Sequence, residues 1–344
     1  MRAAILREGR MVVEDLPDLR PGPGQVLVEP VACGICGSDL HTVDHIHDLV
    51  ASAKAAGGGF SQQLDPDLDL VMGHEISCRV LDVGEGVEGL DTDGAYAAMP
   101  YLDTPTGPVV PGYSNRYPGG YGDQLLVSPF ALIPVPNGLD PVIAALTEPM
   151  AVGLHAVNES GATRERIAVV VGAGPVGLAI IASLAAAGVE TIIASDFSPT
   201  RRATAEAMGA HVVVDPADTD PFDAWRTAGD GVTPPVIFEA VGVPGMIDRL
   251  MAAAPPRSEI VVAGVCIPPD TFHPTFGIYK HLRLTFVLGW TPEEFSDSLH
   301  ALADGRIDGG RLITGHVGID GVPQAFTDLG DPERHVKIMV RPDL

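Results

Sequence analysis

The sequence predicts an α/β protein of two domains, one β-rich and one built on a doubly wound parallel sheet. Three observations carry this reading. The chain has 344 residues, more than one hydrophobic core ordinarily serves. Residues 1–32 break into short strand-like runs divided by Pro and Gly. Across 165–266, apolar strands alternate with helical segments, the βαβ rhythm of a parallel sheet covered on both faces.

Taken in order, "MRAAIL", "MVVEDL" and "GPGQVLVEPVA" read as the first strands. The polar stretch "TVDHIHDLVASAKAAGGGFSQQLDPDLD" suggests a short helix at its Ala-rich middle and a flexible break at 57–59. "VMGHEISCRVLDVG" returns to strand, and residues 91–120 are rich in turns. "TEPMAVGLHAVNES" has helical spacing. "RIAVVVGAG" is a buried strand, "PVGLAIIASLAAAG" a helix and "TIIASD" a second strand. "SPTRRATAEAMGA" follows as a helix with Ser198 at its N-cap. "HVVVD", "VIFEAVG" and "EIVVAGV" add strands, and the tail from 290 is mixed and ends in the strand-like "VKIMVRP".

Composition excludes several function classes. With 46% hydrophobic residues a sizeable core can be buried, while 40 Gly and 31 Pro suit short strands and tight connections. The 21 basic and 45 acidic residues give a net charge of −24, which repels nucleic acid and anionic membranes. No apolar run reaches the ~18–20 residues of a membrane span. The longest, "IAVVVGAGPVGLAIIASLAAAG", is interrupted by Gly and Pro. The start lacks a signal-peptide core and cleavage site, so a cytoplasmic protein is expected. Four cysteines do not make a disulfide framework for this length. In a reducing compartment they point to metal or catalysis.

"VVVGAGPVGL" sets Gly172, Gly174 and Gly177 in GxGxxG order between a strand and a helix that Pro175 and Val176 open. That context is the one a dinucleotide pyrophosphate needs. The first glycine turns the chain, the second admits the phosphates, and the third packs helix on strand. Asp196, at the end of the next strand, is placed to accept hydrogen bonds from ribose hydroxyls and to repel a 2′-phosphate, favouring NAD over NADP. Arg201 and Arg202 lie near enough to pull the other way. The plain alternative is a glycine turn that only packs a helix.

"CGICGSDLH", Cys33 to His41, packs two cysteines, a serine, an aspartate and a histidine into one stretch. A redox CxxC should open a helix in a thioredoxin-like unit, and this one sits in β-rich surroundings. Zinc accepts thiolate, imidazole and carboxylate, and a catalytic zinc keeps one position open. Cys36, His74 and Glu148 offer one ligand of each kind from separate segments.

"CGICGSDLH", "GHE", "TEPMAVGLHA" and "GAGPVGL", in that order, resemble the medium-chain dehydrogenase/reductase family, in its zinc alcohol and polyol dehydrogenase branch. The likeness extends over "FEAVGVPGMID", "TPEEFSDSLHALADGRID" and "VKIMVRP". It implies a GroES-like catalytic domain of both chain ends, 1–152 and 290–344, with a Rossmann domain, 153–289, and the active site in the cleft between them. It implies Cys36 and His74 as zinc ligands, with Glu148 or Glu75 as the carboxylate ligand. Ser38 and His41 match a proton relay, and Asp39 matches the carboxylate that orients the histidine. Val241, Val265, Arg201 and Lys337 join the glycine loop and Asp196 as cofactor contacts, Lys337 near the pyrophosphate. The implied protein is a zinc-dependent NAD dehydrogenase for a secondary alcohol or polyol, or the matching ketone or aldehyde, and a homodimer or homotetramer.

Two departures from the family stand out. Many members hold a second, structural zinc with four cysteines after the "GHE" segment, and residues 91–120 contain no cysteine. One zinc per chain follows. The stretch from His41 to Gly73 is longer than usual and is placed to shape a substrate entrance. A zinc-free quinone or enone reductase shares the fold but lacks the ligand set, and a non-catalytic structural role would leave the relay without use. Cys33, Cys78 and Cys266 read as small buried or cofactor-wall residues. His45 and His47 read as solvated, His155 as packed, and the acidic run Asp65–Asp69 as a solvated loop. Tyr113, Tyr117, Phe286 and Trp290 read as core or interface more readily than as pocket walls.

Overall fold

The computed structural model describes residues 1–58 and 64–344. Contacts divide it into a unit of Met1–Glu148, Leu299–Asp304 and Ile313–Leu344, and a second of Pro149–Ser298 and Gly305–Leu312.

The first unit begins with β1 (Arg2–Arg7) and β2 (Arg10–Asp15), an antiparallel pair, then β3 (Val26–Gly34). Helix α1 (Gly37–Ala56) separates β3 from β4 (Glu75–Val83). Short strands follow: β5 (Tyr96–Ala98), β6 (Leu102–Thr104), β7 (Gly107–Val109), β8 (Leu125–Val127) and β9 (Leu132–Pro134). Helix α2 (Pro141–Ala144) is capped by the Asp140 carboxylate, which accepts from the Val142 amide. Helix α3 (Thr147–Asn158) begins in this unit and ends in the next.

The second unit alternates strand and helix, as the apolar rhythm predicts. It runs β10 (Ala168–Val171), α4 (Pro175–Ala186), β11 (Ile192–Ser195), α5 (Pro199–Ala207), β12 (Val212–Val214) and α6 (Pro221–Ala228). Then come β13 (Val236–Glu239), α7 (Met246–Ala253), β14 (Glu259–Val262), α8 (Pro274–Lys280), β15 (Arg283–Phe286) and most of α9 (Pro292–Ala303). The strands form one parallel sheet in the order β12-β11-β10-β13-β14-β15, the doubly wound Rossmann arrangement. Ser198 caps α5 as expected, its hydroxyl accepting from the Arg201 amide.

The chain returns to the first unit through β16 (Ile313–Val317), α10 (Val322–Asp328) and β17 (Lys337–Val340). Its main sheet reads β16-β17-β3-β4-β5-β9, with β8 pairing β3. The carboxyl-terminal strand β17 thus lies beside β3, bringing Val340 opposite Cys33. A core of Ile5, Val28, Leu70, Met72, Ile76 and Leu125 fills the unit.

Two expectations need revising here. The helix after the cysteine motif is neither short nor centred on the alanines. It starts at the motif, with Cys36 as N-cap, and runs to Gly57, whose φ of +69° ends it. Its buried stripe is Asp39, Thr42, Ile46 and Val50, a helical period hidden by two polar members. His45 interrupts the helix with φ −135°. The flexible break expected at 57–59 is, at Gly57, a helix cap; Gly59 lies outside the described residues. Secondly, the motif does open a helix, so its setting does not argue against redox pairing. The cysteines' state does. Burial pushes the Cys33 thiol well up, with the Glu75 charge adding to it, which disfavours the thiolate that exchange needs.

In the cysteine-free segment 91–120, Leu102 is buried with Leu27 and Leu126, and Val109 and Tyr117 pack against them. The Tyr96 hydroxyl accepts from the Asp91 amide at 2.7 Å. An apolar cluster closes this segment. Among the described residues, no helix is long and apolar enough to cross a membrane.

Candidate active site

The site in the first unit starts where β3 ends. Cys36 caps α1, and Asp39, three residues on, turns back so that its Oδ2 accepts from the Cys36 amide at 3.1 Å. Asp39 is fully buried, and the same Oδ2 also accepts from the Tyr121 hydroxyl at 2.5 Å. Its other oxygen, Oδ1, lies 3.5 Å from His74 Nδ1. Those two buried atoms have no closer hydrogen-bond partner among the described residues. A proton on Nδ1 directed at Asp39 leaves the Nε2 lone pair as the donor.

His74 follows Gly73, whose φ is +101° and whose missing Cβ would lie 2.9 Å from Cys33 Sγ. Glycine is required there, and it sets the imidazole beside Cys36. One ligand atom each from Cys36, His74 and Glu75 lies within 4.8 Å of the others. Thiolate, imidazole and carboxylate converging, the last two buried and the thiol half-buried, are a donor set that fits zinc. The unmet Nδ1–Oδ1 contact is the outer partner a metal-bound histidine uses.

The two glutamates differ in what holds them. Both Glu75 oxygens accept from Lys337 Nζ, at 2.6 and 2.8 Å, and the ammonium's third bond goes to the Ile35 carbonyl at 3.0 Å. Lys337 and Glu75 are both fully buried. Burial works against the ammonium, but the Glu75 and Cys36 charges outweigh it and keep the lysine protonated. This does not match the pyrophosphate contact expected of Lys337, since all three of its N–H groups are committed inside the first unit. Glu148 is buried at the first turn of α3, outside the three-residue cluster, and near enough for its charge to help hold Lys337 protonated.

Ser38 and His41 sit three residues apart on α1, on one face and both half-buried. Burial, and then the neighbouring His45, hold the His41 imidazole below its ordinary value. The Ser38 hydroxyl lies 3.1 Å from that of Tyr113. Tyr113 is buried, its ring centroid 5.4 Å from that of His74. Sequence reasoning set Tyr113 aside as core and did not consider Tyr121. The signal for both is the glycine-rich run "PGYSNRYPGGYG", whose backbone lies against Gly73.

The second unit builds its site from backbone. Gly172 has φ +93°, and a Cβ there would meet the Ala240 carbonyl at 2.8 Å. A Cβ at Gly177 would fall 1.9 Å from the Gly172 carbonyl, whereas one at Gly174 would meet nothing within 4 Å. So Gly172 and Gly177 serve the fold, and Gly174 leaves open space at the start of α4, where Pro175 and Val176 form its first turn. Asp196 accepts from the Ala173 amide and the Ser198 amide, both at 2.8 Å, which ties it to this turn. Val241 lies against Gly172, and Val265 against Gly242, at the same carboxyl edge of the sheet. Arg202 is committed to the Asp196 and Phe197 carbonyls and to Asp215. Arg201 Nε is buried with no partner among the described residues.

Elsewhere, His155 pairs with Glu294 at 2.9 Å, consistent with a packed histidine. The acidic run 65–69 is exposed and pinned by Asn115 and Arg7. Phe286 is 64% exposed and not core.

Comparison with known proteins bears on the fold and family. Residues 22–137 match the alcohol dehydrogenase GroES-like domain, and residues 175–304 match the zinc-binding dehydrogenase domain. The chain is 29% identical over 346 residues to (R,R)-butanediol dehydrogenase of Bacillus subtilis (strain 168), covering 96% of each. It is 28% identical to L-galactonate-5-dehydrogenase of Escherichia coli (strain K12), covering 86% of this chain and 84% of that one. The crystal structure of 2R,3R-butanediol dehydrogenase from Bacillus subtilis superposes with a TM-score of 0.83 at 28% identity, covering 99% of both chains. A structure from Sinorhizobium meliloti 1021 with NADP bound superposes with a TM-score of 0.82 at 25% identity, again covering 99% of both.

Proposed function

We propose a function from one premise: this chain belongs to the zinc-dependent alcohol and polyol dehydrogenase branch of the medium-chain dehydrogenase/reductase family. It is an oxidoreductase that moves a hydride between a secondary alcohol or polyol, or the matching carbonyl compound, and a nicotinamide cofactor. The observation that carries this is the meeting of the Cys36 thiol and the His74 imidazole, with a carboxylate beside them.

One zinc per chain is our reading, held by Cys36, His74 and Glu148. Charge favours Glu148 over Glu75 as the carboxylate ligand, because Lys337 already neutralises Glu75. A zinc held there would supply a Lewis acid that lowers the pKa of an alcohol hydroxyl, and a bound nicotinamide would supply the hydride acceptor. The chain's own residues do the rest. Asp39 fixes the His74 tautomer and, through Tyr121, stays fixed itself. Ser38 accepts the hydroxyl proton, and His41 passes it to solvent. Gly174, with the first turn of α4, receives the pyrophosphate on the turn that Gly172 and Gly177 make possible, and Val241 and Val265 flank the cofactor. The committed Arg202 and the tethered Asp196 support NAD over NADP. The open edge of β15, with exposed Phe286 and Leu288 and the exposed α8 residues Ile278 and Tyr279, supports a homodimer or homotetramer.

The test is cofactor reduction with a panel of secondary alcohols and polyols. We expect NAD to be preferred to NADP at least tenfold in kcat/KM, about 1.4 kcal/mol, and Asp196→Ser to narrow the gap. A preference for NADP would overturn the Asp196 assignment and shift weight to Arg201.

A further inference from the structure

We propose that Tyr113 is a specificity-determining residue, whose hydroxyl recognises a second oxygen adjacent to the reacting one, so that vicinal diols and 2-hydroxy ketones are favoured over simple alcohols and ketones. The inference rests on the dehydrogenase reading above.

Tyr113 comes from the segment 91–120, which contains no cysteine. What brings it to the site is glycine. Gly112 has φ +89°, and a Cβ on it would lie 2.8 Å from the Gly73 carbonyl. A Cβ on Gly119 would lie 2.3 Å from the same atom. Only bare backbone lets this loop rest on the residue before His74. The Tyr113 amide donates to Val110 O at 3.0 Å. The Asn115 side chain ties the loop to the segment before Gly73, donating to the carbonyls of Asp65, Leu68 and Asp69. The tyrosine is therefore rigidly delivered.

A phenylalanine would fill the same volume against His74. The hydroxyl is what needs explaining, and it sits 3.1 Å from Ser38 Oγ, the group assigned to the reacting oxygen. Two oxygens on neighbouring carbons, in the gauche arrangement, are about 3 Å apart, the ordinary hydrogen-bond spacing. The Ser38–Tyr113 pair thus offers two hydroxyls at the spacing of a vicinal diol. Each hydroxyl both donates and accepts, so the pair also suits a hydroxyl next to a carbonyl. A site that hydrogen-bonds a substrate hydroxyl discriminates against the analogue lacking it, because its own polar group is then left unmet.

The experiment compares Tyr113→Phe with the unaltered enzyme on butane-2,3-diol and butan-2-ol, which differ by one oxygen. A second readout, independent of turnover, is calorimetric binding of butane-2,3-diol to the metal-loaded enzyme with NADH, a pair that cannot react. We expect the unaltered enzyme to prefer the diol. Tyr113→Phe should lose roughly 10- to 100-fold in kcat/KM and in affinity for the diol, the cost of one unmet hydrogen bond, and far less on butan-2-ol. Equal losses on both substrates would overturn the proposal, since Tyr113 would then only position Ser38. So would unchanged diol binding, or no diol preference in the unaltered enzyme. If the unaltered enzyme oxidised neither alcohol, the dehydrogenase reading would fall and the proposal with it. That result is distinct from failure of the proposal alone, in which butan-2-ol is still oxidised.

Discussion

In the first unit the site is made of buried charge: Asp39, Glu75 and Lys337 have no exposed surface, and His74 and Glu148 have little. In the second unit the corresponding site is made of missing side chains, at Gly172, Gly174 and Gly177. The difference follows from what each must hold. A cation needs donors fixed and desolvated, so the first unit carries paired charges that keep one another in place. A pyrophosphate needs backbone amides at close range, so the second unit clears space before a helix. Buried charge fails by losing a partner. Cleared space fails by being filled.

The largest effect should come from unpairing the charges. Lys337→Met would leave Glu75 buried and unmatched, and chemical denaturation should register a loss of about 3–5 kcal/mol. Adding Glu75→Gln should recover part of it, which a purely steric defect would not allow. Next come the glycines, where one substitution separates two roles. Gly177→Ala forces a methyl onto the Gly172 carbonyl, and overpacking of this kind costs about 1–3 kcal/mol or more, read as a lower melting midpoint. Gly174→Ala meets open space, so its midpoint should hold while KM for NAD rises about tenfold. If both variants behaved alike, the division between packing and phosphate glycines would be lost.

A smaller effect concerns pH. His41 is held below its ordinary value of 6.5, first by burial and then by His45. A lowered imidazole pKa means the neutral, proton-accepting form persists as pH falls. His41→Gln should therefore slow alcohol oxidation most at and below neutral pH, where hydroxide is scarce, and converge on the parent rate as pH rises. General acid–base help reaches ~10²–10⁴-fold when direct, and a relay with water as substitute contributes less. A pH-independent loss in the rate profile would make His41 a packing contact.

The two sites also differ in how far the sequence discloses them. The glycine loop is legible because its logic is local: strand, three glycines, helix and Asp196 lie within one stretch. Cys36 and His74 are legible because thiolate and imidazole have few other uses in such settings. The partners that complete the charged site are not. Tyr121 meets Asp39 across 82 positions, and Lys337 meets Glu75 across 262. Nothing near either residue signals the pairing, and Lys337 read alone looks like a phosphate ligand. Helix α1 was obscured for a related reason: Asp39 and Thr42 occupy its buried stripe, so the apolar period starts only at Ile46. Sequence spacing reports what a segment does by itself, and buried pairs between distant segments fall outside it.

The most direct test of the account is metal analysis of purified protein and of its Cys36→Ala variant, together with NAD-dependent oxidation of butan-2-ol and calorimetric NAD binding. The account predicts one zinc per chain in the parent, loss of both zinc and turnover in the variant, and NAD binding unchanged, because thiolate and glycine loop belong to different units. A Cys36→Ala protein that kept its zinc and its turnover would contradict it.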